Sequence, residues 1–210
     1  TARILLEINA VNFNINNPYK LASGIFSPCY IDCRKIISHP RARFTLMNFL
    51  TSLIVQNIGY EKINCIAGGE TAGIPFAAYI SERLQLPMIY VRKKPKSYGK
   101  KERIEGDFKP QDNIILIEDL ASDGGSKIDF VNALRNENTI CNNTAVIFFY
   151  NIFKKTRKTL ENNNIQLHYL TDWHEIIKQC KSNNYFSNNV LKEVETFLKD
   201  PISWSENKKK

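Results

Sequence analysis

Apolar positions along the chain change period several times, and the changes mark its elements. Ile4, Leu5, Ile8 and Val11 recur at helical spacing in the first segment. From Tyr19 to Ile37 the text reads as extended structure, punctuated by Ser23-Gly24 and Ser27-Pro28, with a strand over 29–33. Pro40 then opens a helix to about Asn57, in which Phe44, Met47, Leu50, Leu53 and Ile54 form one stripe. Beyond it, short apolar runs alternate with helical spacing. Strands are predicted over 63–67, 88–91, 113–117 and 145–150, and helices over 73–84 and 126–135. Two more helices follow near 173–180 and 190–198. Strands that are apolar throughout, separated by helices, predict an α/β fold with an open, mostly parallel sheet and helices on both faces. Such a fold holds its ligand at the carboxyl ends of the strands.

Length and composition narrow the class. At 210 residues, with neither an internal repeat nor a low-complexity linker, one domain is expected and can bury its own core. Hydrophobic residues make up 43% and charged residues 24%, which excludes a disordered chain. No apolar run approaches the roughly 20 residues that span a bilayer, so no membrane association is expected. The opening TARILLEINAV lacks the layout of a signal peptide, and the missing initiator Met suggests a trimmed start. The five cysteines, Cys29, Cys33, Cys65, Cys141 and Cys180, are irregularly spaced, which favours buried thiols in a reducing cytoplasm over disulfides or a zinc site.

The net charge of +8 invites a nucleic-acid reading until its distribution is considered. Arg92, Lys93, Lys94, Lys96, Lys100, Lys101 and Arg103 face one acid, Glu102, within a single short segment. The rest of the chain is close to neutral, and Lys208, Lys209 and Lys210 account for its small excess. The molecule has one basic loop and a basic tail. A small anion is the better target.

Four stretches could carry chemistry. In the strongest, an apolar run over 114–117 delivers Glu118 and Asp119, and Leu120-Ala121-Ser122-Asp123-Gly124-Gly125-Ser126 leads into a helix. Amides of such a turn and the helix N-terminus make a phosphate cradle, and the acids could hold ribose hydroxyls or the waters of a Mg²⁺ ion. Read alone, the less favoured reading is a strand–helix junction capped by acids. The second is the basic loop, Arg92-Lys93-Lys94-Pro95-Lys96-Ser97-Tyr98-Gly99, continuing to Glu105-Gly106. It is either a solvated surface loop or a lid that brings charge to an anionic leaving group. The third, Leu21 to Arg34, contains Ser-Gly-x-x-Ser-Pro-x-Tyr-x-Asp, and alone would be a hairpin with core aromatics. The fourth, Gly68-Gly69-Glu70-Thr71-Ala72-Gly73, follows a strand and opens a helix, so its amides could approach a pyrophosphate. It lacks the spacing of a dinucleotide fingerprint.

Together and in this order, these stretches resemble the orotate phosphoribosyltransferases, a type I phosphoribosyltransferase family. The acidic stretch resembles the family's phosphoribosyl-diphosphate (PRPP) signature and the basic loop its catalytic loop. The resemblance implies transfer of the phosphoribosyl group of PRPP to orotate, giving orotidine 5′-monophosphate and pyrophosphate in pyrimidine synthesis. It implies Mg²⁺ as cofactor, held with PRPP and reached through water from Glu118 and Asp119. Lys96, Glu118 and Asp119 would be catalytic, with Arg92, Lys93, Lys96 and Tyr98 on the pyrophosphate. Leu120, Ala121, Ser122, Asp123, Gly124, Gly125 and Ser126 would surround the 5′-phosphate, with Thr71 and Ala72 also on PRPP. Tyr30 and Ile31 would form the wall for the orotate ring, with Ser122 beside it. Residues 1–38 would act as a base-binding hood and 171–210 as C-terminal helices of the same domain. A homodimer is implied, in which the loop between Arg92 and Arg103 acts in the neighbouring subunit's site.

The chain departs from the family's usual pattern at several points. Ala22 stands where a Lys is usual before Ser-Gly, and Lys20 is on the same strand face. Ala72 stands where a Lys is frequent, Ala121 replaces a larger aliphatic, and Asp123 replaces a small residue. An Arg that contacts orotate in some members has no clear counterpart after Tyr150, Arg157 being too far along. Two alternatives remain: transfer to another base, such as a purine, or a PRPP-sensing regulator that binds nucleic acid. The segment around Tyr30 argues against the first, and the basic loop without a DNA-binding module against the second.

Overall fold

The computed structural model describes residues 1–21, 23–95 and 103–208. Ala22, Lys96 and Tyr98 therefore lie outside the described residues. The chain opens with helix α1 (Ala2–Glu7), shorter than the apolar spacing predicted, because Val11 turns into strand β1 (Val11–Phe13). Strands β2 (Tyr19–Lys20), β3 (Phe26–Ser27) and β4 (Cys29–Ile31) follow. Extended structure stops at Asp32, whose carboxylate accepts the Arg34 amide at 3.2 Å and caps a 3-10 helix over Cys33–Ser38. Local capping by a short acid outcompetes strand continuation here.

Helix α2 (Pro40–Asn57) has the predicted bounds, with proline in its first turn. Its buried stripe is Leu46, Met47, Leu50 and Ile54, whereas Phe44 is 62% exposed. Next come β5 (Cys65–Gly69), α3 (Gly73–Leu84), β6 (Met88–Val91), β7 (Ile104–Glu105), β8 (Asn113–Ala121) and α4 (Gly125–Arg135). The chain ends with β9 (Ile140–Phe149), α5 (Lys155–Asn162), β10 (Gln166–Asp172), α6 (Trp173–Asn183), α7 (Asn188–Lys199) and α8 (Pro201–Asn207).

Among the described residues, six strands form one sheet in the order β10-β9-β8-β5-β6-β7, all parallel except β7, which runs antiparallel to β6. Alternation along β8 shows why both faces are covered. Ile115 and Ile117 pack into the core beneath α2 and α3, while Ile114 and Leu116 face Phe130, Val131 and Leu134 of α4. The expected mostly parallel sheet with helices on both faces is what forms. None of the described helices is long and apolar enough to cross a membrane.

Two small antiparallel pairs, β1 with β4 and β2 with β3, sit outside this sheet. Aromatic packing joins them to it. Trp173 is fully buried, with its ring 5.0 Å from Phe148, 5.6 Å from Tyr150 and 6.1 Å from Phe13 of β1. The C-terminal helix holds the other pair, since the Phe26 amide donates to Ser205 Oγ at 2.9 Å. Ser205 is itself buried, so Ser205→Val strands that amide and is expected to cost about 1–2 kcal/mol in urea denaturation.

Candidate active site

Strands β5 and β8 are parallel neighbours, so their carboxyl ends lie side by side. Strand β8 runs four residues beyond the apolar run, so Glu118 and Asp119 are part of the strand, and Glu118 pairs in register with Val146 of β9. Glu118 faces inward. Its Oε2 accepts from Lys127 Nζ at 2.5 Å, and only 7% and 5% of the two side chains are exposed. Lys127 Nζ also lies 3.2 Å from Ser126 Oγ. The other Glu118 oxygen occupies space that Cβ atoms on Gly69 and Gly73 would need. Those two glycines let the β5–α3 turn approach the carboxylate closely. Burial pushes the Glu118 carboxyl above its usual range, and Lys127 pulls it back.

Asp119 is only partly buried and points the other way along the strand. Its Oδ1 accepts the Leu120 amide at 2.8 Å. Burial raises its pKa as well, opposed first by Lys127 and also by Arg34. The two adjacent acids thus have different surroundings: Glu118 is locked in an ion pair, while Asp119 keeps part of its surface exposed.

The turn after β8 is built as a cradle. Gly124 takes φ +86°, and a side chain there would also press on Leu160 of α5. Thr156 Oγ1 donates to the Ser122 carbonyl at 3.2 Å, fixing the turn from above. Asp123 is exposed, and its Oδ1 accepts the Gly125 amide at 3.2 Å. Its carboxylate caps the turn and takes up one of the amides a phosphate would use. Ser126 is exposed at the first turn of α4, and Ala121 is fully buried.

Opposite this cradle lies the β5–α3 turn, with Thr71 exposed and Ala72 as the N-cap residue of α3. The Glu70 amide donates to the Val91 carbonyl at 2.9 Å, and Glu70 Oε2 accepts the Lys93 amide at 2.7 Å. Glu70 therefore ties this turn to the root of the basic loop. The root is closed by the Arg92 amide donating to the Arg103 carbonyl at 2.8 Å. Arg103 in turn grips both carboxylate oxygens of Asp129 on α4, at 3.2 and 2.6 Å. Arg92 Nη1 lies 3.7 Å from Glu105 Oε1, and Lys93 is exposed with its charge within reach of Glu118.

The segment before α2 contributes Tyr30 and Ile31 of β4. Tyr30 is half-buried, its ring 5.3 Å from Tyr19, and its hydroxyl accepts from Arg34 Nη2 at 3.1 Å. Ile31 is fully buried in the main core, so only its backbone can face a ligand. Burial drives the Tyr150 hydroxyl and the Cys33 thiol well above their usual ranges, with Asp119 adding to the second.

The structure thus places Glu118, Asp119, the turn through Ser126, Thr71, Ala72, Arg92 and Lys93 at the carboxyl ends of β5, β6 and β8, with Tyr30 bonded to Arg34 in the preceding segment. Lys127 was absent from the sequence-level expectation. Its signal was present: 127, 130, 131 and 134 recur at helical spacing, which puts Lys127 on the buried stripe of α4. A lysine in such a stripe needs an acid partner, and Glu118 supplies it.

No family model matches the chain. Relatives do. The orotate phosphoribosyltransferase of Ruegeria sp. (strain TM1040) is 55% identical over 210 residues, covering all of this chain and 93% of that protein. The orotate phosphoribosyltransferase of Roseobacter denitrificans is 52% identical over the same length, again covering 93% of the relative. Among solved structures, orotate phosphoribosyltransferase from Aeropyrum pernix superimposes with a TM-score of 0.75 over 87% of this chain and 98% of its own. At 22% identity that likeness speaks for the fold alone. Identity above one half over the full chain shows that this chain belongs to the orotate phosphoribosyltransferase family.

Proposed function

We propose that the chain transfers the phosphoribosyl group of PRPP to orotate, releasing pyrophosphate and forming orotidine 5′-monophosphate, as its relatives' name describes. The observation that carries this reading is the 55% identity over the full chain. The cleft supports it. Breaking the ribose C1′–O bond builds positive charge on the sugar and negative charge on pyrophosphate. Asp119 sits where it can hold the ribose hydroxyls and offset the first. Lys93, Arg92 and the loop they open can meet the second. The turn through Ser122, Gly124, Gly125 and Ser126 offers amides and hydroxyls for the 5′-phosphate. Orotate supplies its own nitrogen nucleophile, so the protein's task is to orient, neutralise charge and exclude water.

Mg²⁺ fits these residues. Asp119 is a hard oxygen donor at the cleft mouth, and two acids without a closed cage suit an ion that arrives chelated by the diphosphate and keeps its waters. Bound with PRPP, it would offset charge on the leaving group. Glu118, held by Lys127, would act at longer range.

In this reading residues 1–38 form the base-binding hood of one domain, and 171–210 complete it. The active species is a two-fold dimer whose loop, with Lys96 and Tyr98, enters the neighbouring site. Phe44 is exposed on α2 and lines a groove of about 620 Å³ between α2 and α3, and Phe49 and Val55 are exposed elsewhere on the same helix, which suits a protein interface. The five buried free thiols suit a reducing cytoplasm.

The decisive assay is pyrophosphate release from PRPP and Mg²⁺ with orotate, uracil and purines supplied in parallel. Release with orotate alone is the expected result. Equal release with a purine overturns the assignment of the base, and salt-sensitive DNA binding without turnover would favour a regulator.

A further inference from the structure

Orotate is a flat pyrimidine with a carboxylate on the carbon beside its reacting nitrogen. A cation that grips this carboxylate would both select orotate over uracil and aim the nitrogen at the sugar. Ala22 and Arg157 mark where such a cation has no obvious source. Arg157 is committed elsewhere: it donates to Asn151 Oδ1 at 3.2 Å and to the Tyr169 hydroxyl at 2.8 Å, and it stacks on Phe149. Resting on the orotate reading above, we infer that Arg34 is the residue that binds the orotate carboxylate and so sets base specificity.

The geometry of the guanidinium carries this. Arg34 Nε donates to Asp32 Oδ1 at 2.8 Å and Nη2 to the Tyr30 hydroxyl at 3.1 Å. Both bonds use one edge of the fork. The outer Nη1–Nη2 edge is left for a carboxylate in the two-bond arrangement that arginine favours. Nη1 has no hydrogen-bond or ion-pair partner among the described residues. The side chain is 57% exposed, so this edge is open.

Its position fits equally well. Arg34 lies in the first turn of the 3-10 helix that follows β4, one hydrogen bond from the Tyr30 hydroxyl. The 3-10 helix that carries Arg34 packs against β8, the strand that carries Asp119, and the two side chains' charges act on one another. Asp32 does two jobs with one oxygen, capping the helix and holding the guanidinium's inner edge. An exposed pair of this kind adds little stability, and its effect is to fix orientation.

The test compares orotidine 5′-monophosphate, which keeps the carboxylate, with uridine 5′-monophosphate, which lacks it. Binding of each to the full chain is measured by calorimetry for wild type, Arg34→Gln and Arg34→Lys, alongside KM for PRPP and orotate. Arg34→Gln is expected to weaken the carboxylated nucleotide about 10²-fold while leaving uridine 5′-monophosphate and the KM for PRPP nearly unchanged. Arg34→Lys should recover part of the loss, since it restores charge without the fork. An unchanged ratio of the two nucleotides overturns the assignment. So does an equal loss for both nucleotides and PRPP, which would make Arg34 a brace for Tyr30. Should Arg34→Gln fail to fold, the same ratio in Arg34→Lys decides. A wild type without orotate-dependent pyrophosphate release defeats the functional reading itself, whereas an active wild type with an unchanged ratio defeats only this inference.

Discussion

Lys127→Met is expected to destabilise the fold by about 3–5 kcal/mol, because it leaves Glu118 buried and charged without its cation. In a chain of this size that corresponds to a fall in Tm of roughly 10 °C. Glu118 has no room to turn away, since its carboxylate is wedged against Gly69 and Gly73 with Phe130 nearby. The loss should depend on pH. Burial already raises the Glu118 pKa, and removing Lys127 takes away the largest opposing influence, so in the variant it rises further. A carboxyl whose folded pKa is raised binds its proton more tightly in the native state. Its contribution to stability therefore falls as pH rises from the ordinary carboxylate value, about 4.3, through the raised one. The deficit of Lys127→Met should be large near pH 8 and shrink towards about pH 5. Urea denaturation at both values reads this directly, and a deficit independent of pH would sink the account. Pairing it with Glu118→Leu should recover much of the stability and little of the turnover.

Lys96→Ala is expected to keep the fold and lose at least ~10²–10³ in kcat, the usual cost of removing one preorganised charge from a transition state. Lys96 lies outside the described residues, but the loop's two roots are within them and firmly held. Glu70 and the Arg92–Arg103 pairing grip the strand ends, and Asp129 fixes Arg103. A loop anchored at both roots can deliver a cation to a defined place without packing on a core. Near-wild-type kcat in Lys96→Ala would remove the lid from the mechanism. Mixing this variant with Asp119→Asn tests whether the loop crosses an interface. A loop acting in the partner's site regenerates one intact site in each mixed dimer, or roughly a quarter of full activity by statistical exchange. No recovery after subunit exchange places the loop in its own subunit.

Much of this architecture was legible in the residues. The bounds of α2, α3 and β6 follow from Pro40, from the glycine that opens α3 and from apolar runs of the right length. The four functional stretches stood out for the same local reasons. The misses also have local causes. Helix α5 is almost wholly polar, burying only Thr156 and Leu160, so it has little apolar period to read. Strand β10 is an edge strand carrying Gln166, His168 and Thr171, and its polar positions hid it. Helix α8 was marked by Asp200 and Pro201, and the Asp200 side chain does accept the Ser203 amide. Strand β5 runs to Gly69 because its ladder with β6 continues to Val91, which glycine-as-turn reasoning did not anticipate.

What the residue order determined by itself was the layered α/β plan, the sequence of loops at the strand ends and the confinement of charge to one segment. These rest on short-range physics: helical and strand periods, capping and turn chemistry. Only the tertiary structure decided which charges meet. Glu118 and Lys127 are nine positions apart and join because the turn folds α4 back over β8. Phe26 and Ser205 are 179 apart and meet because the C-terminal helix packs on the β2–β3 pair. The open edge of Arg34 is likewise a tertiary fact, since it depends on Asp32 and Tyr30 occupying the other edge. Periodicity places a residue on a face, and packing selects its partner.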